Sequence, residues 1–177
     1  LIVAKIRSKL NFSIYKDMVS QIPWPVAVVL KGNEEEKTIY GCTITSLCSV
    51  SISDTAIMSF VLREGSLTGN NLKSNSFCKV FIISAKGKEL AEIFSITQKK
   101  LEFFNQNNYD LKKISDKLTL RSNLVFEAKC ISKKEIDRSV IYFIEVLDAK
   151  LVSKYCNLMY FNRHFKKFKS SKFWFKQ

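Results

Sequence analysis

Runs of β-branched and aromatic residues, each about the length of a strand, recur along the whole chain. They occupy Pro25–Leu30, the stretch from Thr38, Ile57–Leu62, Val80–Ser84, Leu124–Ile131 and Val140–Leu151. Short apolar runs bounded by turn residues read as strands. The charged segment Lys31–Lys37 reads as the turn between the first two. On such a tip Glu34, Glu35 and Glu36 form a solvated cluster rather than a pair of working carboxylates.

Helical signals are fewer. Ser13–Gln21 is one candidate, ended by Pro23, which disfavours helix at the residue before it. A second spans Lys86–Ser95, where Leu90, Ile93 and Phe94 share a face and Lys88, Glu89 and Glu92 point elsewhere. A short helix is expected between Thr68 and Ser76. The segment 97–122 reads as a polar, irregular excursion anchored by Leu101, Phe103, Phe104 and Leu111. Strands with helices inserted between them predict a mainly β protein, a barrel with excursions. A length of 177 residues suits one domain. Residues 1–22 read as an N-terminal extension and helix, and 163–177 as a basic aromatic tail.

The formal charge of +13 attracts anions, whether nucleic acid, a membrane surface or a phosphorylated ligand. The lysines are spread along the chain, so most report composition rather than a binding face. In the tail, Arg163, Lys166, Lys167, Lys169, Lys172 and Lys176 alternate with Phe165, Phe168, Phe173, Trp174 and Phe175. That pattern could grip single strands by charge and stacking, or pack its rings while the ammonium heads stay wet. Packing is the expectation, and nucleic acid is not an expected partner. No apolar run has the length of a membrane span, and Leu1–Leu10 lacks the apolar block of a secretory signal. A cytoplasmic location is expected.

The five cysteines, Cys42, Cys48, Cys78, Cys130 and Cys156, are odd in number and form no C-x-x-C pair. Each sits in an apolar or strand-like context, where Cys behaves as a small hydrophobe. With His164 the only histidine, a zinc cluster or a metal-helix motif cannot be assembled.

Two segments are rich in hydroxyls. In Gly41–Ser51, read as a strand, Thr43 and Thr45 share one face and Ile44 and Ser46 the other. Buried hydroxyls need partners, from the backbone or from a polar ligand, although Thr is also simply a good strand former. In Arg63–Leu72, a strand gives way to a helix start. Free N–H groups, Ser66, Thr68 and the Arg63 cation make a place suited to phosphate, and Gly65 allows a tight turn. An ordinary N-cap at Ser66 or Thr68 explains the same residues. Neither a Walker loop nor a G-x-G-x-x-G fingerprint is present.

The order of the blocks is more specific than any one of them. Pro23-Trp24-Pro25-Val26-Ala27-Val28-Val29, the hydroxyl strand, Ser66-Leu67-Thr68 and Phe77–Ile82 follow one another. Then come Ser84–Ser95, Phe126–Cys130, Glu145–Ala149 and Leu158–Phe161. Together they resemble the flavin reductase-like family over nearly the whole chain. The resemblance implies an FMN-binding split β-barrel of Greek-key type, and a homodimer with flavin near the subunit interface. It implies that Thr43, Thr45 and Ser46 lie along the flavin, with Ser66 and Thr68 at its phosphate; Arg63 joins them as a candidate cofactor-binding cation. It further implies hydride transfer from NADH or NADPH to FMN or FAD, often in the service of a separate oxygenase. No catalytic side chain is assigned. Hydride chemistry belongs to the cofactors, and the protein has to hold two rings in line.

Three departures from the family pattern bear on nicotinamide use more than on flavin binding. Gly87 stands where Gln is usual and cannot complete a capping box with Ser84. Asp137-Arg138-Ser139 replaces Gly-Asp-His, and Ile144 replaces a common Gly. His164 is then the only histidine available to meet a ring edge. A flavin carrier without nicotinamide activity and a nucleic-acid-binding barrel are the second and third functional readings.

Overall fold

The first strand pair shows how the sequence builds the molecule. In the computed structural model, which describes residues 11–33 and 38–168, Ala27–Asn33 and Thr38–Ile44 pair antiparallel. Val26, Val28 and Leu30 face one side of the sheet, and Ala27 and Val29 the other; all five are at most 2% exposed. An unbroken apolar run is what a strand covered on both faces requires. The Glu34–Glu36 turn, Leu1–Leu10 and the tail from Lys169 lie outside the described residues.

The elements run α1 (Phe12–Ser20), β1 (Trp24–Pro25), β2 (Ala27–Asn33), β3 (Thr38–Ile44), β4 (Cys48–Ile52), β5 (Ala56–Arg63), α2 (Leu67–Asn71) and β6 (Phe77–Ile83). A 3₁₀ turn at Ala85–Gly87 leads into α3 (Lys88–Ser95), α4 (Thr97–Gln106) and α5 (Leu111–Thr119). The chain closes with β7 (Ser122–Ile136), β8 (Ser139–Leu151), β9 (Leu158–Phe161) and β10 (His164–Lys167).

Seven strands form one antiparallel sheet in the order β3-β2-β6-β7-β8-β5-β4, and β1, β9 and β10 form a small second sheet. β3 and β4 are therefore the two edges of the large sheet, yet only Thr45, Ser46 and Leu47 separate them in sequence. Three residues span about 10 Å at most, so the sheet has to roll until its edges meet. Register shifts at Glu127/Ala128 and Cys130/Ser132 in β7 and at Ser49/Ser51 in β4 supply local bends.

Rolling creates two cores. Inside lie Ala27, Val29, Ile44, Phe60, Leu72, Val80, Cys130, Tyr142 and Ile144, with the Phe60 and Tyr142 rings stacked at 5.5 Å. Outside, α3, α4 and α5 cover the sheet through Phe94, Phe104, Ile114 and Leu118, which meet Val28, Phe81 and Ile83. The mainly β fold with inserted helices matches the sequence reading.

Several details differ. The 97–122 segment is not irregular. It forms α4 and α5, and Ser122 already belongs to β7. Phe104 is an anchor as expected, whereas Leu101 is 45% exposed. The second helix is signalled by Leu111, Ile114 and Leu118 at helical spacing behind Asp110, whose carboxylate caps Lys113 N at 2.9 Å. The hydroxyl strand is two strands, β3 ending at Ile44 and β4 starting at Cys48. The short helix ends at Asn71 rather than Ser76. Cys48 and Cys156 are exposed, unlike the buried Cys78 and Cys130. Gly87 has a steric explanation. A Cβ there would stand 2.6 Å from Ile83 Cγ2 and 2.7 Å from the Arg121 carbonyl oxygen, while the Ser84 hydroxyl donates to that same carbonyl instead of capping the 3₁₀ turn that it precedes.

Candidate functional site

The seam where the sheet edges approach is only partly stitched. β4 pairs with Ala56–Ser59 of β5, and beyond that point the Ser46 side chain takes the place of a strand. Its Oγ accepts from Val61 N at 2.9 Å and donates to Val61 O at 3.2 Å. Where the seam opens there is a cavity of about 700 Å³. Cys42–Ser46 line one side and Val61–Leu67 the other, with Phe94, Ser95, Thr97 and Lys100 completing the wall. The two hydroxyl-rich segments, separated in sequence by residues 52–62, thus face one another. Thr43, Thr45, Ser46, Arg63 and Ser66 all border this space.

Each predicted residue has a distinct state. Thr43 Oγ1 donates to Ala91 O at 2.6 Å, which ties β3 to α3 and leaves the oxygen able to accept. Ser66 caps α2, its Oγ accepting from Gly69 N at 3.4 Å, so its own hydroxyl proton remains available. Thr45 is half-buried in the turn after β3 and Arg63 is exposed at the end of β5. Thr68 does not border the cavity directly. It is 1% exposed on α2, and its Oγ1 is a buried side-chain oxygen with no hydrogen-bond partner. The Cys42 thiol faces it without closing a regular hydrogen bond. Buried hydroxyls are otherwise nearly always paired.

One functional candidate escaped the sequence reading. Lys100 on α4 is 8% exposed, and its Nζ donates to Gly41 O at 2.7 Å. Burial lowers its pKa from the usual lysine value, with the neighbouring Cys42 acting the other way. Burial raises the Cys42 pKa, opposed by Thr68 and Lys100. The hint in the sequence is the helical spacing of Ile96, Lys100, Phe103 and Phe104, which puts this lysine on the apolar face of α4.

A second cavity of about 440 Å³ shares Thr43, Thr45 and Ser95 with the first. Its other walls are Lys88, Glu92, Tyr160, Arg163, His164 and Phe165. Tyr160 and Phe165 meet edge to face at 5.3 Å, and Phe165 packs on the outer core, whereas Phe168 is 54% exposed. Arg163 pairs with Asp17, and Asn162 N donates to Ser20 O at 2.7 Å, fastening the β9–β10 turn to α1. His164, exposed, is among the residues that line this space. The Asp137–Ser139 turn lies beside Arg63 and Glu64, with Glu64 N donating to Arg138 O at 3.1 Å.

The larger volume falls in the range of small-molecule sites. Its wall includes the buried Lys100, and the smaller cavity runs from Thr43 and Thr45 to the Tyr160 and Phe165 rings. Groups of three or more His, Cys, Asp or Glu placed to hold a metal ion are absent among the described residues. No helix among them is long and apolar enough to cross a membrane.

The fold recurs in solved structures. BorF, the flavin reductase component of a bacterial two-component tryptophan halogenase, superposes with a TM-score of 0.73 at 14% identity, covering 91% of this chain and 100% of its own. The NADH:FAD oxidoreductase SgcE6 of Streptomyces globisporus C-1027, in complex with NAD and FAD fragments, gives 0.72 at 14% identity, with coverage of 92% and 95%. The flavin reductase HpaC complexed with NADP+ gives 0.67 at 19% identity, with coverage of 89% and 98%. None of the curated proteins compared matches the sequence significantly. The flavin reductase like domain model matches residues 19–169, and the chain belongs to that family.

Proposed function

We propose that this protein is an NAD(P)H-dependent flavin reductase that passes hydride from a nicotinamide nucleotide to FMN or FAD. The observation that carries the reading is the meeting of Cys42–Ser46 and Val61–Leu67 around one cavity that shares Thr43, Thr45 and Ser95 with a second. Family membership and the similarity to flavin reductases such as SgcE6 and HpaC support it.

Flavin and nicotinamide rings, when bound, would supply the redox chemistry. The chain's own residues hold and orient. Ser66, Thr68 and Arg63 serve the phosphate end of the flavin, and Thr43, Thr45 and Ser46 fix the wall along which its ring system lies. Thr43 and Ser46 do this chiefly as structural clips, since their hydroxyl protons go to Ala91 O and Val61 O. The second cavity, with Tyr160 and His164, receives the nicotinamide. Reduced flavin leaves for an oxygenase partner, and the working unit is a cytoplasmic homodimer.

The test is to mix purified protein with FMN or FAD and NADH or NADPH and follow the nicotinamide absorbance. Flavin-dependent loss of that absorbance is expected. A protein that binds flavin but leaves it oxidised with either nucleotide, while dithionite bleaches it, is a flavin carrier instead.

A further inference from the structure

α1 presents its apolar half to solvent. At about 3.6 residues per turn, Phe12, Ile14, Tyr15, Met18 and Val19 fall on one half of its circumference, and Ser13, Lys16, Asp17 and Ser20 on the other. The polar half holds the helix to the rest of the chain: Asp17 pairs with Arg163, and the Ser20 carbonyl accepts from Asn162 N at 2.7 Å. On the apolar half Phe12 is 68% and Met18 67% exposed, and no residue of α1 is buried. Ile22 and Trp24, just past the helix, are exposed as well. A soluble chain ordinarily turns such a stripe toward its core, and an exposed apolar patch of this kind marks an interaction surface.

The charge beside this face indicates what it fits. From Arg163 to the chain end come Lys166, Lys167, Lys169, Lys172 and Lys176, with no Asp or Glu among them. The run begins on β10, beside the turn bound to α1, where Lys166, Lys167 and Phe168 are exposed. The sequence immediately before α1 adds Lys5, Arg7 and Lys9, which, like Lys169–Gln177, lie outside the described residues. An apolar helix face set among cations suits the boundary of an anionic bilayer, with its apolar side chains among the acyl chains and its lysines at the head groups. Nucleic acid fits less well, because Ile14, Met18 and Val19 offer aliphatic carbon rather than rings to stack on bases.

We infer that α1 and the basic strand β10 form a docking surface for an anionic lipid bilayer, on which the protein lies peripherally. The inference goes beyond the flavin reading and does not depend on it. Each cation near an anionic leaflet contributes about a fivefold gain in affinity, which salt screens. The apolar area withdrawn from water adds to it.

The experiment sediments the full chain with sucrose-loaded vesicles of phosphatidylcholine alone or of an equal mixture with phosphatidylserine. Wild type is expected on the mixed vesicles and not on the neutral ones, and salt should release it. The double variant Ile14→Ser, Met18→Ser, changed only at exposed positions, binds about 10-fold or more weakly while its Tm holds. Lys166→Gln with Lys167→Gln costs about 25-fold. Wild type that ignores the mixed vesicles overturns the inference, whether it stays alone in solution or retains an oligonucleotide instead. Equal vesicle binding by wild type and the α1 variant also overturns it, since charge alone then explains the attachment. So does a wild-type dimer that the α1 variant splits while neither protein binds vesicles, which assigns the face to a second copy.

Discussion

Replacing Thr68 by Val should stabilise the ligand-free protein and weaken its hold on FMN. The substitution keeps the side chain's shape and exchanges one hydroxyl for a methyl. Because Thr68 Oγ1 is buried and unpartnered, wild type carries the desolvation cost of that hydroxyl, about 1–3 kcal/mol by mutational experience. The weak S–H donor of Cys42 recovers little of it, and Thr and Val differ little in helix propensity. We expect Thr68→Val to gain about 1–2 kcal/mol, which for a domain of this length raises Tm by about 2–8 °C. The proposed hydrogen bond from Thr68 to the flavin phosphate would then be missing, so FMN is expected to bind about 10- to 100-fold more weakly. Urea unfolding with and without FMN measures both quantities on one sample. A Thr68→Val protein that unfolds at lower urea than wild type refutes the reasoning, since the hydroxyl then has a partner. Unchanged FMN affinity refutes the assignment of that hydroxyl to the ligand.

Other perturbations follow from the same packing. Ser46→Ala removes the side chain that bonds Val61 N and O, and should cost about 1–3 kcal/mol in urea unfolding together with a raised KM for flavin. Gly87→Gln restores the residue usual in the family but drives a side chain against Ile83 and the Arg121 carbonyl; a loss of about 1–3 kcal/mol is expected, and unchanged stability would show that the backbone yields. Burial lifts the Cys78 thiol from 9.0 to about 12, with Cys130 adding to it. A raised acid binds more protons folded than unfolded, so its contribution is intact below pH 9 and fades between pH 9 and 12. Between pH 8 and 10 wild type should lose about 1.4 kcal/mol more than Cys78→Ala, measured by urea unfolding at both values; parallel losses would remove the cysteine from the alkaline limb.

β2 and β6 are legible in the sequence as nearly continuous apolar runs because both faces of the sheet are covered there. β5, β7 and β8 are legible through β-branched and aromatic residues whose buried positions alternate with half-buried or exposed ones. The two hydroxyl segments were also legible, and they do meet. What was hidden has identifiable causes. α4 buries a lysine on its apolar face, which breaks the pattern that announces a helix, and so both the helix and Lys100 went unseen. The break between β3 and β4 was masked because Thr, Ser and Cys are tolerated equally by strand and turn. The partners of Thr43 and Ser46 lie on distant elements, α3 and β5, and no local pattern encodes them.

The location of the site follows from the way the sheet fails to close. A fully closed barrel has no free edge, and its backbone polar groups are consumed in the ladder. Here β4 covers only Ala56–Ser59 of β5, so the seam from Phe60 onward faces β3 without pairing to it. Unpaired edges demand partners, and this chain meets the demand at one point with the Ser46 hydroxyl. It leaves the rest as a cavity walled by backbone, hydroxyls and one buried ammonium. A further strand pair in that seam would add stability and abolish the space. The open seam and the buried Lys100 are parts of the same arrangement, in which a side-chain clip and a lysine tied to Gly41 O stand where further ladder bonds would close the sheet.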